Sequence, residues 1–192
     1  IYIMKLLLAS QSPRRKELLE KLGYEFEVIK FSCDESFPSD LHSAEVAGYI
    51  SEKKANFYQD LNEDEVLITS DTVVVFNNEI LGKPKDREEA FQMLQKLSGN
   101  THEVFSGITI KSNKKTITKT DKALVTFADI SEDEINYYIN TGSPFDKAGG
   151  YGVQDWLGMA KISKIEGSYY TIMGLPTHLV YDELVQITSL LS

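Results

Sequence analysis

The 192-residue chain is 42% hydrophobic, an ordinary globular composition able to bury a sizeable core as one large domain or two small lobes. Its formal net charge of −9 argues against a sequence-nonspecific nucleic-acid binder, which draws on clustered positive surface. No run approaches the roughly 20 apolar residues of a bilayer span, no leader pattern opens the chain, and the single Cys33 suits a reducing compartment, so a soluble cytoplasmic protein is expected.

The stretch that organises the chain comes first. Leu6-Leu7-Leu8 is an apolar run of strand length ending at Ala9-Ser10, and Ser12 followed by Pro13 signals a helix start, where proline's missing N–H is not needed. Arg14, Arg15 and Lys16 fall in that helix's first turn, where the helix dipole disfavours positive charge. The residues read either as a solvated basic face or as a polyphosphate cradle built from Ser10, Arg14 and Arg15. An acidic chain that keeps such a pocket suits a small polyanion bound with a divalent metal. Ile1 to Ile3, ahead of Met4, are assigned no function.

Gly23 caps the helix, and residues 24–31 read as a strand with Phe26 and Val28 inward. Ser43 is the expected N-cap of a helix to about Asp60, with an apolar stripe of Val46, Ile50, Phe57 and Leu61. At 100° per residue Lys54 falls within that stripe and Lys53 outside it, so Lys54 either snorkels or points at an anion. Residues 65–76 form the most apolar segment, and its β-branched richness marks a strand covered on both faces. Asp71 interrupts this strand and must be paired, metal-bound or at a cleft edge, because an unpaired buried charge is very costly. Asn77-Asn78 reads as a hairpin turn into a short strand, followed by Lys83 on the stiff Gly82-Lys83-Pro84 loop.

Asp86 with Glu89, and Ser131 with Glu134, open two further helices as capping boxes, ending near Leu97 and Asn140. Between them lie two long strands, 101–111 and 116–127, joined at Ser112-Asn113. Residues 146–155 hold three glycines in four positions, as either a plain turn or a loop whose backbone approaches a ligand. A strand over 159–165 and a final helix over 177–191 complete the expectation. There is no Walker A pattern, GxGxxG, HExxH or CxxC pair, and His42, His102 and His178 are too scattered to suggest a ligand cluster.

Five stretches in order now carry a resemblance. Ala9-Ser10-Gln11-Ser12-Pro13-Arg14-Arg15, Lys54-Ala55, Ser70-Asp71-Thr72-Val73-Val74, Gly82-Lys83-Pro84 and Asp146-Lys147-Ala148-Gly149-Gly150-Tyr151-Gly152-Val153-Gln154 resemble the motifs of the Maf family of nucleoside triphosphate pyrophosphatases. The resemblance implies an α/β fold, a mixed twisted sheet with flanking helices in two lobes around a central cleft, related to the inosine triphosphate pyrophosphatases and commonly homodimeric. It implies hydrolysis of a nucleoside triphosphate to the monophosphate and pyrophosphate with a divalent cation, Mg or Mn. The Asp-Lys-Ala-Gly-x-Tyr-Gly-x-Gln version resembles the branch acting on dTTP and UTP.

Carried over by motif, Asp71 matches the catalytic acidic residue, while Arg14, Thr72 and Gln154 match specificity positions. Ser10, Arg15, Lys54 and Lys83 match triphosphate residues, and Glu35, with Asp71, an acidic metal-binding position. Gln11, Ser70 and Asp155 depart from the motifs, which commonly have glycine, alanine and glycine there. Asp155 is the departure to watch, since a carboxylate beside the base pocket could alter base choice. Two other readings stand beside the enzyme: a non-catalytic nucleotide-binding regulator of septum formation, and a pyrophosphatase for purine or 7-methyl-GTP substrates.

Overall fold

Continuous apolar runs build parallel strands buried on both faces, and here they set the sheet. In this computed structural model, which describes residues 4–191, the chain runs β1 (Lys5–Leu8), α1 (Pro13–Lys21), β2 (Phe26–Val28), α2 (Ser43–Phe57), β3 (Glu65–Phe76) and β4 (Glu79–Leu81). It continues through α3 (Arg87–Leu97), β5 (Thr101–Lys111), β6 (Thr116–Phe127), α4 (Glu132–Thr141), α5 (Trp156–Lys161), β7 (Ile162–Glu166), α6 (Tyr169–Met173) and α7 (Thr177–Leu191). Ile1 to Ile3 and Ser192 lie outside the described residues.

The strands form one mixed sheet in the order β2-β1-β3-β5-β6-β7, with β4 beside β3. β1 pairs parallel with β2 and β3, in the register Leu6 to Phe26 and Leu7 to Leu67, whereas β3–β4 and β6–β7 are antiparallel. Leu6 to Leu8 and Val66 to Ile68 are each at most 2% exposed, as continuous hydrophobicity predicts. The expected α/β class, a mixed sheet with flanking helices, is therefore observed.

The chain forms two compact units. Ile1–Asp71, Ser106–Asp121 and Gly174–Ser192 make the first, and Thr72–Phe105 with Lys122–Met173 the second. In the first, α2 packs so closely on β5 that a Cβ on Gly107 would sit 2.5 Å from the Ala47 carbonyl carbon and oxygen. Only glycine admits that approach. In the second, Val74, Leu94, Val125, Phe127, Ile135 and Tyr138 belong to one buried cluster.

Some expectations are corrected. The strand over 24–31 shortens to Phe26–Val28 at the sheet edge, with Val28 37% exposed rather than inward. α2 is capped by His42, whose Nδ1 accepts the Ala44 N–H, and not by Ser43. The helix stops at Phe57, three residues early, because Lys111 Nζ donates to the carbonyls of Ala55 (3.0 Å) and Tyr58 (2.8 Å) at its end. Phe57, counted in the apolar stripe, is 57% exposed. The strand over 159–165 begins only at Ile162, because Asp155 opens the six-residue α5 ahead of it. Ser131 and Glu134 form the expected capping box, and the Asn77-Asn78 turn has both residues at positive φ, whereas Asp86 caps α3 by accepting the Glu89 N–H without closing a box, because the Glu89 carboxylate accepts the Lys85 N–H at 2.8 Å instead.

His102 lies within the second unit at 1% exposure, sharing a 2.6 Å hydrogen bond from Nε2 with Tyr151 Oη and stacking on Phe127. Burial pushes its pKa down to about 4. The unfolded chain, with an ordinary histidine pKa of about 6.5, therefore takes the proton first as pH falls. This contribution to stability is complete above pH 6.5 and is lost between pH 6.5 and about 4. Urea unfolding should show a loss of about 2 kcal/mol between pH 7.5 and 5 that the non-titrating His102→Gln does not share. An equal loss in the variant would place the titrating group elsewhere.

Candidate active site

The first unit gathers six of the residues singled out in the sequence. Ser10 accepts the Ser12 N–H at 3.2 Å in the turn between β1 and α1, which leaves its own hydroxyl proton to donate. Arg14 and Arg15 follow on the first turn of α1, both partly buried, with Pro13 at the first helical position. Arg15 Nε donates to the Gly174 carbonyl at 2.8 Å, and Ser70 Oγ lies 2.8 Å from Gly107 O and 3.2 Å from that same Gly174 O. Burial draws the Arg15 guanidinium below its ordinary value, an effect that Asp71 and Glu35 oppose.

A reciprocal pair registers α2 on β3. Ser51 Oγ donates to Thr69 O at 3.1 Å, and Thr69 Oγ1 donates to Ser51 O at 2.6 Å, both groups fully buried. One helical turn beyond Ser51 and two strand residues beyond Thr69, Lys54 Nζ meets Asp71 Oδ1 at 2.9 Å. Glu35 Oε1 lies 2.9 Å from the same nitrogen, so two carboxylates converge on one ammonium. Lys54 thus points at anions rather than merely snorkelling. Lys53, outside the stripe, pairs instead with exposed Asp34 at 2.8 Å.

The second unit holds Thr72, Lys83 and Gln154. Gly149, at φ +71°, donates its N–H to Gly82 O at 3.0 Å, so the glycine-rich loop is joined to the loop that carries exposed Lys83. The following chain turns at residues 152–155, closed by Asp155 N–H on Gly152 O at 3.1 Å. Gln154 Oε1 is buried there with no hydrogen-bond partner. Such an atom is costly to leave unsatisfied.

Glu35 and Asp71 suit a hard divalent cation, which takes one or two protein carboxylates and completes its shell with substrate phosphates and water. Among the described residues no cluster of three or more His, Cys, Asp or Glu side chains forms a protein-only metal cage. Sequence reasoning missed Gly174, Tyr138 and Lys147. The motif containing Lys147 was visible, but its 7% exposure was not.

Comparison with known proteins bears on this constellation. The model of the family described as Maf-like protein matches residues 5–187. A Flavobacterium psychrophilum protein named dTTP/UTP pyrophosphatase is 46% identical over 185 residues, covering 96% of this chain and 95% of its own. Proteins of the same name from Porphyromonas gingivalis (46% over 184 residues, 94% of this chain and 92% of the relative) and Bacteroides thetaiotaomicron (44% over 185 residues, 95% and 96%) are similar throughout. With the family model spanning nearly every residue and the five motifs in place, the chain belongs to the Maf-like protein family.

Proposed function

We propose that this chain is a nucleoside triphosphate pyrophosphatase that hydrolyses dTTP and UTP to the monophosphate and pyrophosphate. The observation that carries the chemistry is the convergence of Asp71 and Glu35 on Lys54, with Arg15 close enough to feel both carboxylates. A reaction that expels pyrophosphate requires cations for the leaving charge and a group that takes a proton from the attacking water. Asp71 takes that proton. Ser10, Arg14, Arg15, Lys54 and Lys83 hold the triphosphate and stabilise the charge that develops on it. Glu35 and Asp71 would hold Mg or Mn, which when bound would neutralise phosphate charge and act as a Lewis acid.

The pyrimidine assignment is supported by the names of the relatives and by Gln154. Uracil and thymine present a donating N3–H between two carbonyls, and a glutamine amide offers the complementary acceptor and donor. Thr72 and Arg14 complete the specificity set. A site built for one hydrogen-bond pattern leaves buried groups unpaired with another, at roughly 1–3 kcal/mol per group.

A panel of nucleoside triphosphates with magnesium or manganese, read as pyrophosphate release, tests this. UTP and dTTP should exceed dCTP, ATP and GTP at least about tenfold in kcat/KM, with Gln154→Ala narrowing the ratio more than it lowers the best rate. A preference for GTP, 7-methyl-GTP or ITP would remove the pyrimidine assignment and keep the hydrolase. Binding without turnover would favour the non-catalytic regulator. We further infer a homodimer, the state the family resemblance implies, which sedimentation of the purified chain reads directly, in the reducing cytoplasm that the lone Cys33 suits.

A further inference from the structure

Tyr138 is the largest fully buried side chain among the described residues and lies on α4, away in sequence from every motif that carried the family resemblance. Its hydroxyl is engaged twice. It accepts the Gly152 N–H at 3.2 Å and donates to Asp155 Oδ2 at 2.8 Å. Gly152 and Asp155 are the first and last residues of the turn closed by the Asp155 N–H, so one hydroxyl holds both of its ends. Gln154 is the turn's third residue, and its amide oxygen is the buried acceptor without a partner.

The Asp155 carboxylate is itself fixed. Lys147 Nζ lies 3.4 Å from Oδ2, and the same ammonium donates to Ser143 O at 2.6 Å and to Asp146 Oδ1 at 3.0 Å. The carboxylate sits so close over the turn that a Cβ on Gly152 would lie 2.6 Å from Oδ2. Asp155 opens α5 but makes no side-chain cap bond, because its oxygens face Tyr138 and Lys147 instead. Holding a buried phenol against a partly buried carboxylate is favourable only when their hydrogen bonds are satisfied. Here that requirement dictates the path of the chain through Gln154.

Resting on the reading that Gln154 recognises the base, we infer that Tyr138, with Asp155 and Lys147, is a positioning device that sets the orientation of Gln154 and thereby the enzyme's selectivity for a uracil-type edge. On this inference the carboxylate at 155 acts through the turn. Removing the hydroxyl leaves Gly152 N–H and Asp155 without it, and the turn relaxes. Base discrimination then falls before catalysis does, because the residues that handle the phosphates lie elsewhere in the chain.

The test measures kcat/KM for UTP and CTP in wild type, Tyr138→Phe, Asp155→Ala, Asp155→Asn, Gln154→Ala and the Tyr138→Phe/Gln154→Ala double variant. Equilibrium binding of the α,β-methylene analogues of both nucleotides and thermal midpoints are recorded for each. Tyr138→Phe and Asp155→Ala should lower the UTP/CTP ratio about three- to tenfold, with a smaller change in kcat for UTP. Asp155→Asn, which can still accept the phenol proton, should retain most of the ratio. In the Gln154→Ala background Tyr138→Phe should change the ratio no further, since coupled residues are not additive. Lower thermal midpoints with an unchanged ratio would overturn the proposal, because a purely structural network moves only the former. Full additivity with Gln154→Ala, or a wild-type ratio indifferent to Gln154, would overturn it as well. Should Tyr138→Phe not fold, the two Asp155 variants decide by the same criterion. Were no nucleotide hydrolysed, the hydrolase reading would fail, and the analogue affinities would still judge the clamp.

Discussion

Asp71→Asn is expected to fold and to lose at least about a hundredfold in kcat, the usual scale for removing a general base. The side chain sits in the middle of β3, where Thr69 and Ser70 before it and Val73 and Val74 after it are all buried. Asparagine keeps its shape and one acceptor oxygen but cannot take a proton at neutral pH. The ion pair with Lys54 is weakened, yet Glu35 remains 2.9 Å from that ammonium, so no cation is left stranded. The stability cost should therefore stay near about 1 kcal/mol, well short of the several kcal/mol that an uncompensated buried charge costs. Pyrophosphate release from UTP and urea unfolding, measured on one preparation, separate the two effects. A folded variant with near-normal turnover would remove Asp71 from the chemistry.

What could be read from the sequence followed how local its cause was. Strands β3, β5 and β6 were legible with their bounds, β3 because its apolar, β-branched run reflects burial residue by residue. The capping box of Ser131 and Glu134 and the Asn77-Asn78 turn are likewise satisfied within four residues. Helical angle placed Lys54 in the apolar stripe but left snorkelling and an anionic partner both open, and the structure gives it two carboxylates. The end of α2 was not legible, because the lysine that binds its last carbonyls comes from β5. Nor was α5, a six-residue helix whose Met159 and Ala160 are exposed, so that burial leaves little periodic trace. The same holds in the candidate site. Asp155 was noticed as a departure from the motif, but its tie to Tyr138 spans 17 residues, and Arg15 reaches its carbonyl across 159.

That long tie makes a second large effect testable. Arg15→Ala should lower kcat/KM for UTP by about 10²–10³, the range for losing one donor aimed at transition-state charge. The more telling variant is Arg15→Lys. The Arg15 guanidinium is fixed through Nε to Gly174 O at 2.8 Å, and that carbonyl is braced by Ser70 at 3.2 Å. A guanidinium anchored through Nε keeps its planar fork in a set orientation, a geometry suited to two oxygens of a phosphate. Lysine has a single nitrogen on a flexible stem, which reaches either the carbonyl or the phosphate. Arg15→Lys should therefore recover no more than about tenfold over alanine, although its charge is the same. Lys16→Ala on the same helical turn supplies the control, because Lys16 is exposed and only loosely paired with Glu20 at 3.8 Å, and it should stay within about twofold of wild type. The Michaelis constant of the wild type should rise with ionic strength as screening weakens the attraction. If lysine at position 15 restored wild-type kinetics, any cation would serve there, and the carbonyl of Gly174 would have no part in aiming it.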